Sequence, residues 1–212
     1  MAISRLLVLF IILLPILLTN MNKTRLEAFS DGVIAIIITI MVLEIKTPHD
    51  TSWSALVEQL PVFFSYLMSF VFIGIYWGNH HHLLVVASHV TASIIWANLN
   101  LLFWLSLIPF ATGWMGENHF AQNAVIFYAI LLLMCAFAFT FLQLCIEKQC
   151  KDNPKLVAAF ANVRRKGYFS TICYLLAIAL AYYNTLFSAI LFCVVSIRWM
   201  IPDRNIEKAV RE

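Results

Sequence analysis

Six long apolar stretches, separated by shorter polar segments, constrain this chain more than any other feature of its sequence. They cover residues 28–45, 60–79, 91–113, 121–146, 168–183 and 185–201. About 20 apolar residues of helix cross the ~30 Å hydrocarbon core of a bilayer. Only 12% of the residues are charged, against about 25% in soluble domains. The pattern predicts an all-α integral membrane protein with six transmembrane helices.

The last two stretches are nearly continuous and require a break. A single straight helix over residues 168–201 would be about 51 Å long at 1.5 Å per residue, which exceeds the bilayer. The segment "YYNT" contains the turn-forming residue Asn184. We therefore expect a helical hairpin at Asn184.

The 14 Lys and Arg residues lie almost entirely on one side of the predicted membrane. They cluster before the first stretch, between the fourth and fifth, and at the C-terminal end from Arg198 onward, with Lys46 as the exception. The segment "GWMGENHFAQN" after the third stretch has none. Because Lys and Arg concentrate in cytoplasmic loops, this distribution predicts a multi-pass protein with both termini in the cytoplasm.

Residues 1–20 do not fit this count of six spans. They resemble a signal peptide, with a basic start followed by an apolar run, but no small-residue cleavage site follows. Met21 begins the segment "MNKTRLEAFSDG". We expect residues 1–20 to be an over-extended start or a dispensable extension, with a cleaved signal and an extra helix as alternatives. Residues 21–212 then form the six-helix unit.

Strongly polar residues lie at similar depths near the inner ends of the first three spans. Such groups are costly inside a membrane, so each calls for a partner. Donors from the second and third spans can satisfy a carboxylate on the first. The pattern predicts an interhelical hydrogen-bond network that only holds the helices together. Its members are Arg25, Ser30, Asp31, Trp77, His80 and Asn98. A gating or proton-sensing role for these residues is the alternative.

The sequence contains no pattern that favours an enzyme. The segment "NHHH", residues 79–82, suggests a metal site at first sight. However, successive helical residues point about 100° apart, so three adjacent histidines cannot face one ion from one helix. Phosphate-binding glycine loops and the GxSxG and HExxH motifs are also missing from the sequence. We expect no catalytic residues, no metal and no cofactor.

An apolar stripe follows Asp31 on the first predicted helix. Ile36, Ile40 and Leu43 recur at helical spacing, and Thr39 lies beside them. From spacing alone, such a stripe packs against protein or lipid.

Three motifs resemble those of one family. Arg25 followed by "FSD" at residues 29–31 opens the first helix, "YWGNHHH" supplies Trp77 and His80, and "NLNLLFWLSLIPF" supplies Asn98 and Pro109. The chain resembles, over about residues 22–212, the bacterial members of the transmembrane protein 175 family of potassium channels. It lacks the TVGYG filter of other tetrameric channels.

The resemblance implies a homotetramer in which the first helix of each six-helix subunit lines a central pore. By position, Ile36 would form the principal constriction, Ile40 and Leu43 further apolar layers, and Thr39 a hydroxyl ring. The six polar residues named above would form the network that holds the pore helix.

The resulting expectation is a leak-type cation channel, selective for K⁺ over Na⁺, in the bacterial inner membrane. The permeant K⁺ ion, other copies of the chain and membrane lipid would be its partners, with no role for nucleic acid. The basic segment 148–166 can contact anionic lipid or can simply set the topology. The alternative is a proton-coupled membrane transporter that uses the inner polar layer as its binding site.

Overall fold

The computed structural model describes residues 22–200, which form an all-helical protein. The predicted N-terminal segment 1–20 and the last residue of the sixth apolar stretch lie outside the described residues. The helices within residues 22–200 are α1 (Lys23–Leu43), α2 (Trp53–Glu58), α3 (Leu60–Val86), α4 (Ala92–Ser106), α5 (Ile108–Glu117), α6 (Gln122–Glu147), α7 (Pro154–Leu180) and α8 (Thr185–Met200).

Polar side chains mark the starts of several helices, because the first backbone N–H groups of a helix lack partners within it. The side chains of Asn22, Ser52, Thr91 and Asn153 accept hydrogen bonds from backbone N–H groups in the first turns of α1, α2, α4 and α7. Short polar residues of this kind are the preferred N-caps. The same signal marks where helix α1 begins.

Asn184 caps α8 in the same way and confirms the predicted hairpin. Its side-chain oxygen lies 2.9 Å from the backbone nitrogen of Leu186. Helix α7 ends at Leu180, and α8 packs back against it. The hydroxyl of Ser188 donates to the carbonyl of Ala177 across this pair at 2.7 Å.

Four helical segments within residues 22–200 are long and apolar enough to cross a membrane. They are α1, α3, the α4–α5 pair as one unit (Ala92–Glu117) and α6. Helix α7 begins well before the predicted start at residue 168, because hydropathy marks only the apolar part of a helix. Its first half carries Arg164, Arg165 and Lys166. Helix α8 is apolar but shorter than the other spans.

Helix α1 and helix α6 occupy different parts of the packing. Helix α6 packs against α4, α5 and α7 and also contacts α3 and α8. Helix α1 packs against α3, α4 and α5. The buried rings of Tyr128, Tyr174 and Phe192 join α6, α7 and α8, with the Tyr128 and Phe192 centroids 5.4 Å apart. The order of contacts therefore leaves α1 at one edge of the subunit.

Helices α3 and α5 approach each other most closely at Gly116. A β-carbon at this position would lie 2.5 Å from Ser65 Oγ and 2.7 Å from Val62 Cα. A β-carbon added at Gly78 on α3 would have no neighbouring heavy atom within 4 Å. The close approach of α5 to α3 therefore depends on the missing side chain of Gly116.

We expect Gly116→Ala to lower the free energy of unfolding by about 1–3 kcal/mol, because the added methyl group overpacks the contact between α5 and α3. The matched control Gly78→Ala should change it by no more than about 1 kcal/mol, toward greater stability, since alanine favours helix. Thermal unfolding of the purified protein in detergent measures both changes. Equal midpoints for the two variants would contradict the tight packing at Gly116.

Candidate functional site

Helix α1 has one buried and one exposed face. Its buried residues recur every three or four positions, which places them on the side that faces α3, α4 and α5. They are Leu26, Ser30, Ile34, Ile37 and Met41. The opposite side of α1 is not covered by any other part of the described chain.

The predicted pore-lining residues all lie on this uncovered side. Ile36 is 57% exposed, Ile40 44% and Leu43 77%, and Thr39 is exposed as well. With about 100° between successive residues, Ile36, Thr39 and Leu43 point within about 60° of one another. Ile40 lies at the edge of the same face. These four residues are called the α1 outer face below.

The hydroxyl of Thr39 adds a polar point to the α1 outer face. Its Oγ1 lies 2.9 Å from the carbonyl oxygen of Ile36 and donates to it. Because the proton is committed to this bond within the helix, the exposed hydroxyl oxygen keeps both of its lone pairs as acceptors. Such an oxygen can accept from water or contact a cation.

Three of the predicted network residues form one buried chain of hydrogen bonds. His80 Nε2 on α3 lies 2.6 Å from Asn98 Oδ1 on α4, and Asn98 Nδ2 donates to Ser30 Oγ on α1 at 2.9 Å. Ser30 Oγ in turn donates to the carbonyl of Leu26 at 2.8 Å. Since Asn98 Oδ1 can only accept, His80 carries its proton on Nε2. The chain links α1 directly to α4 and, through Asn98, to α3.

A second, separate bond involves Asp31 and Trp77. Trp77 Nε1 donates to Asp31 Oδ1 at 2.9 Å, and the Trp77 side chain is half exposed. Ser30 and Asp31 point about 100° apart on α1. They therefore reach different neighbours, Ser30 toward Asn98 and Asp31 toward Trp77. The predicted single network is thus present as two hydrogen-bonded groups.

Arg25 stands apart from both groups. Its side chain is exposed and makes no hydrogen bond or ion pair with any residue between 22 and 200. The structure thus brings together five of the six predicted polar residues. Arg25 lies one turn before Phe29 on α1, toward the α1 outer face.

Lys23 anchors the N-terminal end of α1 and was not predicted. Its Nζ donates to the carbonyl oxygen of Val85 at 2.6 Å, in the last turn of α3. The Lys23 ammonium group satisfies a carbonyl that has no partner within α3, and it interacts favourably with the negative end of the α3 dipole. The two residues are 62 positions apart in the chain, so nothing in the local sequence indicates this pair.

A buried polar chain at the opposite end of α1 was also missed. Thr112 Oγ1 on α5 lies 2.7 Å from Ser69 Oγ on α3 and 3.9 Å from Met41 Sδ on α1. Ser69 Oγ lies 2.8 Å from the hydroxyl of Tyr128 on α6. Hydroxyl side chains commonly bond across membrane helices. The signal was therefore present in the sequence as Ser and Thr residues within apolar spans.

A groove of about 520 Å³ lies at the Leu43 end of α1. Its lining includes the acidic residues Glu44, Glu58 and Glu117. Lys46 pairs with Glu117 at 2.6 Å, and both side chains are substantially exposed. The hydrogen bond to Glu117 raises the pKa of Lys46 above its ordinary value. Glu44 packs against Gly113 on α5. Three carboxylates thus line this groove together with the basic side chains of Lys46 and His119.

The adjacent histidines do not form a metal site. His80 is buried in the chain described above, His81 is exposed and His82 is half-buried. Residues 22–200 contain no group of three or more His, Cys, Asp or Glu side chains placed to hold a metal ion.

We expect Trp77→Phe to reduce stability by about 0.5–1.5 kcal/mol, the contribution of one hydrogen bond between membrane helices. Trp96→Phe is the matched control, because Trp96 is 53% exposed and makes no hydrogen bond to any residue from 22 to 200. Thermal unfolding followed by circular dichroism compares the two. The Asp31 contact would be energetically irrelevant if both variants unfolded at the same temperature.

Comparisons with known proteins identify the relatives of this chain. The family model for the endosomal/lysosomal potassium channel TMEM175 matches residues 25–109. A potassium channel from Chryseobacterium sp. is 50% identical over 192 residues, which cover 91% of this chain and 100% of that relative. A solved structure, the lysosomal potassium-selective channel TMEM175 homologue from Chamaesiphon minutus, superposes with a TM-score of 0.74 at 28% identity, over 85% of this chain and 97% of that one.

The matched region contains α1, its two polar groups and the α1 outer face. The fold and these matches define a multi-pass membrane protein of the ion-channel class, and its relatives are channels rather than enzymes. The chain belongs to the TMEM175 family of potassium channels.

Proposed function

We propose that this chain is the subunit of a leak-type potassium channel whose pore is lined by α1. The observation that carries the proposal is the α1 outer face, which is apolar, exposed in the single chain and opposite the face that packs on α3, α4 and α5. Relatives that are named potassium channels support the choice of ion.

The α1 outer face requires other copies of the chain to form a pore. Four copies arranged around an axis would bring four Ile36 side chains together at one level, with rings of Ile40 and Leu43 further along. Exposed apolar side chains that would otherwise face water or lipid then enclose a narrow path. The buried polar groups on the opposite side of α1 hold each helix in position.

A ring of isoleucines favours K⁺ through the cost of dehydration. Apolar side chains offer no oxygen atoms to replace an ion's water shell, so the constriction acts by its width and by its resistance to wetting. K⁺ holds its water less tightly than Na⁺, so it crosses such a ring at lower cost. The outward lone pair of Thr39 supplies one oxygen per subunit one turn away from Ile36.

Helices α7 and α8 complete the proposed six spans. Helix α8, with 16 residues, is about 24 Å long, which reaches across most of a ~30 Å hydrocarbon core. The apolar second half of α7 returns beside it. With the Lys and Arg distribution given above, both termini lie in the cytoplasm and the channel resides in the bacterial inner membrane.

Proton conduction is the second candidate function, because vertebrate relatives carry that name. The endosomal/lysosomal proton channel TMEM175 of Gallus gallus is 34% identical over 103 residues, which are 43% of this chain and 21% of that protein. The match thus covers only part of this chain and only part of the Gallus gallus protein. A proton-coupled transporter would in addition require saturable uptake of a substrate.

The test is a reversal-potential measurement on the purified full chain reconstituted in planar bilayers. With a KCl-rich solution on one side and an NaCl-rich solution that contains some KCl on the other, we expect the reversal potential to lie near the K⁺ equilibrium potential. A reversal potential that follows an imposed pH gradient would instead indicate proton conduction. The absence of current from an intact oligomer, together with substrate-dependent proton uptake, would replace the channel by a transporter.

A further inference from the structure

A groove between α6 and α7 combines an apolar floor with a basic rim. It has a volume of about 550 Å³ and is lined by residues from the last two turns of α6 and from α7. Phe141 and Leu144 are 52% and 42% exposed on its α6 side. Lys148 and Lys151 lie at one end of it. The groove is far along the chain from the α1 outer face and takes no part in the proposed pore.

The basic end of this groove lies at the membrane surface. Helix α6 has 26 residues and is therefore about 39 Å long. This length exceeds the ~30 Å hydrocarbon core, so the residues at the end of α6 extend into the headgroup region. Phe141 and Leu144, one to two turns earlier, lie at the depth of the acyl chains.

The two lysines at the rim carry uncompensated charge. Arg164 also lines the groove, but it is paired with Glu147 across the α6–α7 contact. Lys148 and Lys151 are exposed and form no ion pair with another residue in the range 22–200. The groove therefore presents two free positive charges above an apolar floor.

We propose that this groove binds one anionic phospholipid, with its phosphate at Lys148 and Lys151 and an acyl chain along Phe141 and Leu144. A basic cluster next to a membrane helix attracts anionic headgroups. The apolar floor beneath the lysines contacts the acyl chain of the lipid. A free anion has no acyl chain and cannot make this contact. This assignment does not depend on which ion the channel conducts.

Native mass spectrometry of the full chain tests the site directly. The protein is released from micelles that contain dioleoyl-phosphatidylglycerol and dioleoyl-phosphatidylcholine in equal amounts. We expect preferential retention of phosphatidylglycerol. Each lysine near an anionic headgroup accounts for roughly a fivefold change in affinity. The variant K148Q/K151Q should thus bind phosphatidylglycerol more than tenfold less tightly, in order-of-magnitude terms.

The control is R165Q/R198Q, which removes the same two charges from exposed residues that do not line the groove. It should retain phosphatidylglycerol as the unmodified chain does. An equal loss in both variants would indicate general electrostatic attraction and overturn the site. Retention unaffected by K148Q/K151Q would overturn it as well.

A third variant separates a lipid from a free anion. Leu144→Gln keeps both lysines but makes the floor polar, and it should weaken retention of phosphatidylglycerol. If Leu144→Gln has no effect and inorganic phosphate displaces the bound lipid, the groove is a phosphate site and the lipid assignment is wrong.

Discussion

Replacing Ile36 by asparagine is expected to move the reversal potential away from the K⁺ equilibrium potential and toward equal permeability for K⁺ and Na⁺. Ile36 is 57% exposed on the α1 outer face, where four copies would form the narrowest apolar ring. An amide offers oxygen and N–H groups that hold water. The ring would then stay wetted, so ions would cross with more of their hydration shell and the difference between K⁺ and Na⁺ would shrink.

The matched control for Ile36→Asn is Val42→Asn on the same helix. Val42 is also a branched apolar residue and is 46% exposed, but it points about 120° away from Ile36 around α1. Val42→Asn should leave the ratio of K⁺ to Na⁺ permeability unchanged. Reversal potentials in bilayers with opposed KCl and NaCl solutions give both values. Unaltered selectivity in Ile36→Asn would remove this residue from the constriction.

The sequence was sufficient to predict most of the helical layout. Length and hydropathy located the four helical segments that are long and apolar enough to cross a membrane. The turn residue Asn184 located the hairpin. Both signals are local properties of the chain. The start of α7 at Pro154 was missed, since a helix continues beyond the membrane where its residues are polar. Hydropathy indicates whether a residue lies in lipid or in water, and it contains little information about where a helix begins.

The pairing within the polar layer could be predicted only in part. Depth along the helices placed Ser30, Asp31 and Asn98 at similar levels. Which of them meet depends on the rotation of each helix about its axis, and a single sequence does not fix that rotation. Asp31 therefore accepts a hydrogen bond from Trp77, while Ser30 reaches Asn98.

The contacts of serine and threonine were the hardest to predict, because burying these residues in a membrane costs little free energy. Asp and His inside a span attract attention because burying them is costly. Ser69 and Thr112 can satisfy their hydroxyl groups within their own helices, so their presence requires no partner elsewhere. Only the structure shows that they connect α1, through Met41, with Tyr128 on α6.

Asn98→Leu is expected to cause the largest loss of stability among the polar-layer variants, about 2–4 kcal/mol for two hydrogen bonds between buried groups at about 1–2 kcal/mol each. Asn98 is fully buried and bonds both His80 and Ser30. Leucine has a similar volume but leaves the His80 N–H without its acceptor. Desolvation of that group adds to the loss. The midpoint of thermal unfolding and the oligomer fraction on size-exclusion chromatography measure the effect.

Asn100→Leu is the control, because Asn100 lies two residues further along α4 and is exposed. It should leave stability nearly unchanged, and an equal loss in both variants would show that the hydrogen bonds of Asn98 are irrelevant. A double-mutant cycle with His80→Phe isolates the pair. Because replacing both partners by apolar groups removes the unsatisfied N–H, the double variant should lose less stability than the sum of the single losses. Additive losses would instead mean that Asn98 and His80 stabilise the packing of α3 and α4 independently of each other.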